Sequence, residues 1–242
     1  MNEKPEILGL IPARGGSKSV PLKNIAPLAG HPLVAYTINA AKKSESIGRV
    51  VCSTDSPEIR AVCLAAGIEV LDRPAALAGD NSPVLDTIIQ VLEALKAADG
   101  YVPEAVALLQ PTSPFVLPGQ IDECVRQLLA HPEAGSVQTI TALPHNCHAY
   151  NQREIKDGYL RFRFAAERAV CYNKQTKPKF YLFGNLIVTR TTALLEKRDV
   201  FAPPSLPVEI PPAYATDVDG PDDFERAEFL IERGKVQLPP VG

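Results

Sequence analysis

The chain has 242 residues, 45% hydrophobic and 22% charged, so it can bury a sizeable core and its composition excludes a disordered protein. Its formal net charge of −3 excludes the global basic field of a nucleic-acid binder. No apolar run approaches the roughly 18 residues of a membrane span, and the start lacks the apolar core of a signal peptide. The five cysteines (Cys52, Cys63, Cys124, Cys147 and Cys171) are odd in number and widely spaced, without a CxxC pair. That usage predicts free thiols and a cytoplasmic protein with no membrane partner.

In chain order, Ile7 to Ile11 is a short apolar run stopped by Pro12, which predicts a buried parallel strand. A helix follows from Pro32 to Lys43, with Leu33, Tyr36, Thr37 and Ala40 on one face. Arg49 to Cys52 reads as a second strand, and Ser56 is the expected N-cap of the next helix, ahead of Pro57. Ile68 to Leu71 is a third strand. From Pro83 to Ala97, Val84, Ile88, Leu92 and Leu95 recur at helical spacing, with Ser82 as the expected cap. Ala105 to Leu109 is again a strand and Leu117 to Leu129 again a helix. This alternation predicts the α/β class: an open, mostly parallel sheet with helices on both faces.

The rhythm breaks between about residues 144 and 180, a stretch rich in Tyr, Phe, Arg, Lys and Asn with turn signals at Asp157-Gly158 and Lys177-Pro178. A β-rich inserted lobe is expected there. Asn146, Cys147 and His148, with His145 beside them, could be imagined as metal ligands, but a polar loop is preferred because no second cluster completes a site. Asn185 to Thr189 returns as a strand, and Asp222 to Arg233 is a final helix. The expected organisation is one domain over 1–242 with the insertion at about 144–180.

Charge is distributed unevenly. No acidic residue falls between Glu6 and Glu45, whereas Arg14, Lys18, Lys23, Lys42 and Lys43 do, so an anionic ligand is expected near the N-terminus. The loop after the first strand carries Arg14, Gly15, Gly16, Ser17, Lys18, Lys23 and Asn24. Adjacent glycines let backbone amides approach an anion and adopt positive φ, the cations add charge, and the loop lies at the carboxyl edge where open α/β sheets bind ligands. A triphosphate suits it. The spacing is neither that of a Walker A loop nor GxGxxG. Near the C-terminus Asp217 and Asp219 are spaced i, i+2, so in extended chain both carboxylates face one side and offer hard oxygen ligands to Mg²⁺.

The block IPARGGSKSVPLKNI resembles the N-terminal signature of the CMP-sialic acid synthetase (acylneuraminate cytidylyltransferase) family. The resemblance continues in order through Ser53-Thr54-Asp55, Arg73-Pro74 with Leu77, Ala78 and Asp80, Leu109 to Pro114, and Asp217-Val218-Asp219 with Phe224, Ala227 and Glu228. It implies transfer of CMP from CTP, the co-substrate, to the anomeric hydroxyl of a nonulosonic acid, with Mg²⁺ or Mn²⁺. It implies that Arg14, Ser17 and Lys18, with Gly15 and Gly16, hold the triphosphate, that Lys23 neutralises charge at the α-phosphate, and that Asn24 supports them. Arg73 is placed at the ribose or base with Asp80 and Ser82 nearby, Gln110 and Ser113 at the sugar acid, and Asp217 and Asp219 at the metal; Asp217 joins Arg14 and Lys23 as catalytic. The lobe is implied to form a homodimer and to reach into the partner's site, which makes Arg161, Arg163, Arg168, Lys174 and Tyr181 candidates for contacts with the sugar acid.

The chain departs from the family where Asn-Gly-Ala-Ile-Tyr is usual and Phe183-Gly184-Asn185-Leu186-Ile187 stands instead. That strand shapes the sugar pocket, so the identity of the acid stays open among nonulosonic acids and an eight-carbon ulosonic acid. A sugar-phosphate nucleotidyltransferase and a non-catalytic nucleotide-binding protein are the competing readings.

Overall fold

The computed structural model describes residues 6–171 and 173–241, with the side chain of Lys174 outside the described set. The central sheet contains β1 (Ile7–Pro12), β4 (Arg49–Thr54), β5 (Glu69–Asp72), β6 (Ala105–Leu108), β7 (Ser136–Ala142), β10 (Tyr181–Arg190) and β11 (Ser205–Glu209). Two short pairs accompany it: β2 (Pro27–Leu28) with β3 (His31–Pro32), and β8 (Arg153–Lys156) with β9 (Tyr159–Phe162). The order across the sheet is β11-β7-β10-β6-β1-β4-β5. All its neighbours run parallel except at β10, which is antiparallel to both β6 and β7. The expected mostly parallel open sheet is therefore what forms.

Both faces of the sheet are covered, which is why β1 is apolar at every position. Ile7 and Ile11 point to one face, where α1 (Leu33–Lys43), α2 (Pro57–Ala65) and α4 (Pro118–Ala130) supply Val34, Ile38, Ile59, Cys63, Ile121 and Val125. Leu8 and Leu10 point to the other face, against Ile88, Val91 and Leu95 of α3 (Val84–Asp99) and Leu194 of α6 (Thr191–Lys197). A third cluster, built from Leu33, Tyr36, Phe115, Val218 and Ala227, seats α7 (Pro221–Glu232) beside the carboxyl edge. Each fully buried Leu or Ile in these layers stabilises the fold by about 1.5–3 kcal/mol.

The local signals act as expected at α1 and α2. Helix α2 starts at Pro57, and the Ser56 hydroxyl accepts the Ile59 amide at 3.3 Å. Ser82 does not cap α3. Pro83 takes the N-cap position, and the Ser82 hydroxyl donates instead to the Ala76 carbonyl at 3.1 Å. The stretch between β7 and β10 is less β-rich than its composition predicts. It holds one hairpin turning at Asp157-Gly158, the short helix α5 (Ala165–Val170) and several 3-10 turns. The run AAERA favours helix and accounts for α5.

The strand at the departure from the family pattern is longer than the sequence predicts, and it is bulged. Its pairing with β7 shifts register between Phe183 and Ile187. The Thr139 hydroxyl fills the bulge, accepting the amides of Asn185 at 2.8 Å and Leu186 at 2.9 Å. A Cβ at Gly184 would lie 2.6 Å from Thr139 Oγ1 and 2.9 Å from its carbonyl carbon, so only glycine passes there. Gly184→Ala is expected to cost about 2 kcal/mol, lowering Tm by roughly 4–8 °C in scanning calorimetry. An unchanged midpoint would show that the bulge relaxes freely.

Candidate active site

The loop after β1 crosses the carboxyl edge of the sheet and lines a cleft of about 310 Å³. Arg14, Gly16, Ser17, Lys23 and Asn24 come from this loop, Arg73, Asp80 and Ser82 from the connection after β5, Gln110 and Thr112 from the turn after β6, and Asp219 from the approach to α7. The top of α3 closes one side with Val84 and Thr87.

The glycines act sterically rather than through unusual dihedrals. The left-handed conformation in this loop belongs to Leu22, with φ of 48°. A Cβ at Gly15 would sit 2.8 Å from Ser56 Cβ, because the loop packs down on the start of α2. At that contact the Gly15 amide donates to Asp55 Oδ1 at 2.8 Å, a bond that anchors the loop to the end of β4. A side chain at Gly16 would meet no protein atom; its absence leaves the cleft wall open.

Each loop cation has a carboxylate partner. Asp80 accepts Arg14 at 2.9 Å and Lys18 at 2.6 Å, and these two bonds, Lys18 first, hold its carboxyl below the usual range. Lys18 is 84% exposed and stands at the rim, whereas the Lys23 side chain is only 12% exposed and pairs with Asp219 Oδ1 at 2.9 Å. Asn24 is buried and braces the loop, donating from Nδ2 to the Arg14 carbonyl at 2.8 Å. Arg73 is also buried, and its guanidinium donates to the Ser53 carbonyl at 2.9 Å. Burial lowers its pKa, an effect opposed by the charge of Asp55.

Asp217 and Asp219 alternate with the buried Thr216 and Val218, so the extended chain turns both carboxylates outward on one side. The Val218 amide ties this segment to the Thr112 carbonyl at 2.8 Å. The Asp217 carboxyl is raised above its usual range, first by loss of water and further by Asp219 and Asp223; Thr112 and Lys23 oppose the rise. Asp217 itself is exposed and, unlike Asp219, is not among the residues that line the cleft. Accumulated negative charge on hard oxygens suits a divalent cation. Among the described residues no set of three His, Cys, Asp or Glu could hold a metal, so these two carboxylates fit Mg²⁺ only as a pair completed by substrate oxygens.

Other candidates lie elsewhere. Ser113 is buried behind the cleft and closes its turn with an amide bond to the Gln110 carbonyl at 3.0 Å. Tyr181 opens β10 and lines a separate cavity with His148, Lys177, Phe180 and Glu209. Within one chain none of Arg161, Arg163 and Arg168 lines the cleft, and Arg168 is held by Asn151 Oδ1 at 2.9 Å and the face of Phe162. His148 is structural: its Nδ1 accepts the Tyr150 amide at 3.1 Å, so Nε2 donates to the Pro178 carbonyl. Motif spacing gave no sign of Thr87 or Val84, which reach the cleft only through the packing of α3.

A mostly parallel sheet whose carboxyl edge carries this cation-lined cleft is the plan of an α/β nucleotidyltransferase. A solved CMP:2-keto-3-deoxy-manno-octonic acid synthetase complexed with CTP shares the fold, with a TM-score of 0.71 at 15% identity over 95% of this chain and 99% of that one. The cytidylyltransferase family model matches residues 8–195. The CMP-N,N'-diacetyllegionaminic acid synthase of Legionella pneumophila is 32% identical over 238 residues, covering 96% of this chain and 99% of that protein. The N-acylneuraminate cytidylyltransferase of Escherichia coli is 31% identical over 230 residues, covering 95% of this chain and 53% of that longer protein. The chain belongs to the cytidylyltransferase family, among the CMP-sialic acid synthetases.

Proposed function

We propose that this protein joins CMP from CTP to the anomeric hydroxyl of a nonulosonic acid and releases pyrophosphate. The observation that carries the reading is the cleft itself: Arg14, Lys23 and Arg73 converge with Ser17 and Gln110 at the carboxyl edge of a cytidylyltransferase sheet. The anomeric oxygen forms a bond to the α-phosphorus as the bond from that phosphorus to the α–β bridging oxygen breaks, and the hydroxyl proton passes to solvent water. Arg14, Ser17 and Lys18 hold the triphosphate, with the Arg14 and Lys18 contacts to Asp80 giving way to phosphate oxygens. Lys23 screens the α-phosphate as charge shifts toward the leaving pyrophosphate. Gln110 faces the acceptor. Asp217 and Asp219 would hold a Mg²⁺ or Mn²⁺ ion, which would supply charge neutralisation and make the acceptor hydroxyl more acidic.

The departure at Phe183, outside the lining of the cation cleft, supports a reading of the acceptor side. By register, Ile187 lies opposite Leu108, so the chain reaches Phe183 beyond the end of β6, on the Gln110 side of the edge. The Phe183 ring is 39% exposed and meets Phe201 edge to face at 5.8 Å. Such a platform suits the acetyl methyl groups of a di-N-acylated acid, the kind in the Legionella relative's name. Phe183→Asn is expected to raise KM for a di-N-acylated acid about tenfold and leave KM for CTP unchanged. Equal effects on both would remove Phe183 from the acceptor site.

A homodimer in the cytoplasm is part of the same proposal. The free thiols support a reducing compartment, and Ile155, Leu160 and Val170, each more than 65% exposed on the lobe, support a covered surface there. The test is a panel of acceptors: nonulosonic acids with CTP against an octulosonic acid with CTP and a sugar 1-phosphate with UTP. Turnover confined to the first group is the expected result, and preference for either other group would replace the acceptor assignment.

A further inference from the structure

The segment that carries Asp217 and Asp219 is pinned from the sheet by a residue the family pattern does not predict. Asn185 is 2% exposed at the bulge of β10. Its Oδ1 accepts the Thr139 hydroxyl at 3.0 Å, which fixes the orientation of the amide. Its Nδ2 then has two protons for three acceptors: Gln120 Oε1 at 3.0 Å, the Tyr214 carbonyl at 3.0 Å and, less closely, the Phe115 carbonyl at 3.4 Å. Gln120 in turn accepts the Leu117 amide at 3.1 Å at the start of α4. One side chain thus ties together β7, β10, α4, the turn after β6 and the 3-10 turn Pro212–Ala215 that leads into Asp217.

Downstream of that turn Val218 is buried in the third core cluster. Asp219 is held by its amide on Asp223 Oδ2 at 3.0 Å, by Ser19 on its carbonyl and by Lys23 on its carboxylate, so Asn185 secures the upstream end of the segment. The Tyr214 hydroxyl accepts the Gln237 amide at 3.0 Å, Thr216 bonds back to the Ala213 carbonyl at 2.9 Å, and the Val218 amide reaches Thr112. We infer that Asn185 is a positioning residue: through the Tyr214 carbonyl it sets where Asp217 and Asp219 stand against Lys23 and the cleft. This inference rests on the reading of those carboxylates as the cation pair only for its effect on metal affinity. The placement itself is independent of it. Gln120 Oε1 keeps the Leu117 amide, but an alanine at 185 leaves the Tyr214 and Phe115 carbonyls without this donor, and a leucine of nearly the same shape fills the space without donating.

The test compares Asn185→Ala with Val188→Ala, a cavity-forming change at a buried position of the same strand with no bond to the segment. Native-state hydrogen exchange at the Val218 amide is the first readout, taken without metal. About tenfold faster exchange in Asn185→Ala, after correction for the lower global stability shared with Val188→Ala, is the expected result. Exchange in the two variants within twofold would overturn the inference. If the alanine variant does not fold, Asn185→Leu takes its place: near-wild-type exchange in this near-isostere without a donor would equally overturn it, because packing alone would then suffice. The second readout is Mn²⁺ binding to the CTP complex by water-proton relaxation, in which Asn185→Ala is expected to weaken affinity about tenfold. Asp217→Ala is run beside it. Unchanged Mn²⁺ affinity in Asp217→Ala would remove the cation reading and leave the exchange result to decide the positioning role.

Discussion

Lys23→Ala is expected to lower kcat with CTP and acceptor by about 10³, with little change in the affinity for CTP. The Lys23 side chain is 12% exposed, faces the cleft and reaches Asp219 at 2.9 Å. In that setting water screens its charge poorly, and negative charge moving from the α-phosphate to the departing pyrophosphate meets a fixed cation. Arg14 and Lys18 are more open, and both are already shared with Asp80, so they bind substrate and transition state more evenly. Loss of Lys23 should therefore appear in kcat, and loss of Lys18 in KM. The fold should tolerate the change, because Asp219 is 74% exposed and loses a partner that water can replace. Lys23→Arg should recover only a small part, since a planar guanidinium does not reproduce a point charge at the end of that short reach. A fall in kcat of less than tenfold would mean that charge screening at the α-phosphate lies elsewhere.

Asp217→Asn is expected to reduce kcat by at least about 10² while raising thermal stability at pH 7. The two effects share a cause. In the folded protein the Asp217 carboxyl is raised above its ordinary range by loss of water and by Asp219 and Asp223. Between its unfolded pKa and that raised value the native state binds more protons than the unfolded state. Stability therefore falls as pH rises through this window, and at pH 7 the full penalty is present. The amide removes the charge and the penalty together. Calorimetry should show the variant melting above wild type at pH 7, with the gap narrowing as pH falls toward 4. A variant that melts below wild type at pH 7 would mean that the Thr112 and Lys23 contacts outweigh the loss of water.

The parts of the fold legible in the sequence were those whose burial is set by local pattern. The strand at Ile7 is apolar on both faces and cut by Pro12, and α1 begins after Pro32 with its buried face at helical spacing. Strand β11 escaped notice because Pro207 interrupts it. At the edge of a sheet, opposite Gln138, a residue without an amide proton is tolerated. Strand β10 was expected to begin at Asn185 and begins at Tyr181, because its first residues pair with the end of β7 beyond the bulge. That extension carries Tyr181 away from the cleft and into the cavity beside the lobe.

The same distinction holds at the site. The first loop announces itself because its cations and glycines lie on one short stretch. The bond from Gly15 to Asp55, the packing of Gly15 on Ser56 and the Thr112 contacts to the acidic segment join residues far apart in sequence, and only folding brings them together. Asn185 is visible only as a departure from a family pattern, with no local signal that its side chain joins five elements.

The central claim is CMP transfer by direct displacement at the α-phosphorus, and ³¹P NMR of the protein with CTP, Mg²⁺ and a nonulosonic acid tests it most directly. The account predicts loss of the triphosphate signals with equimolar appearance of free pyrophosphate and of a phosphodiester, the CMP-sugar, only when the acid is present. Free CMP with pyrophosphate in the absence of any acid, or no pyrophosphate with any acid despite CTP binding, would contradict it.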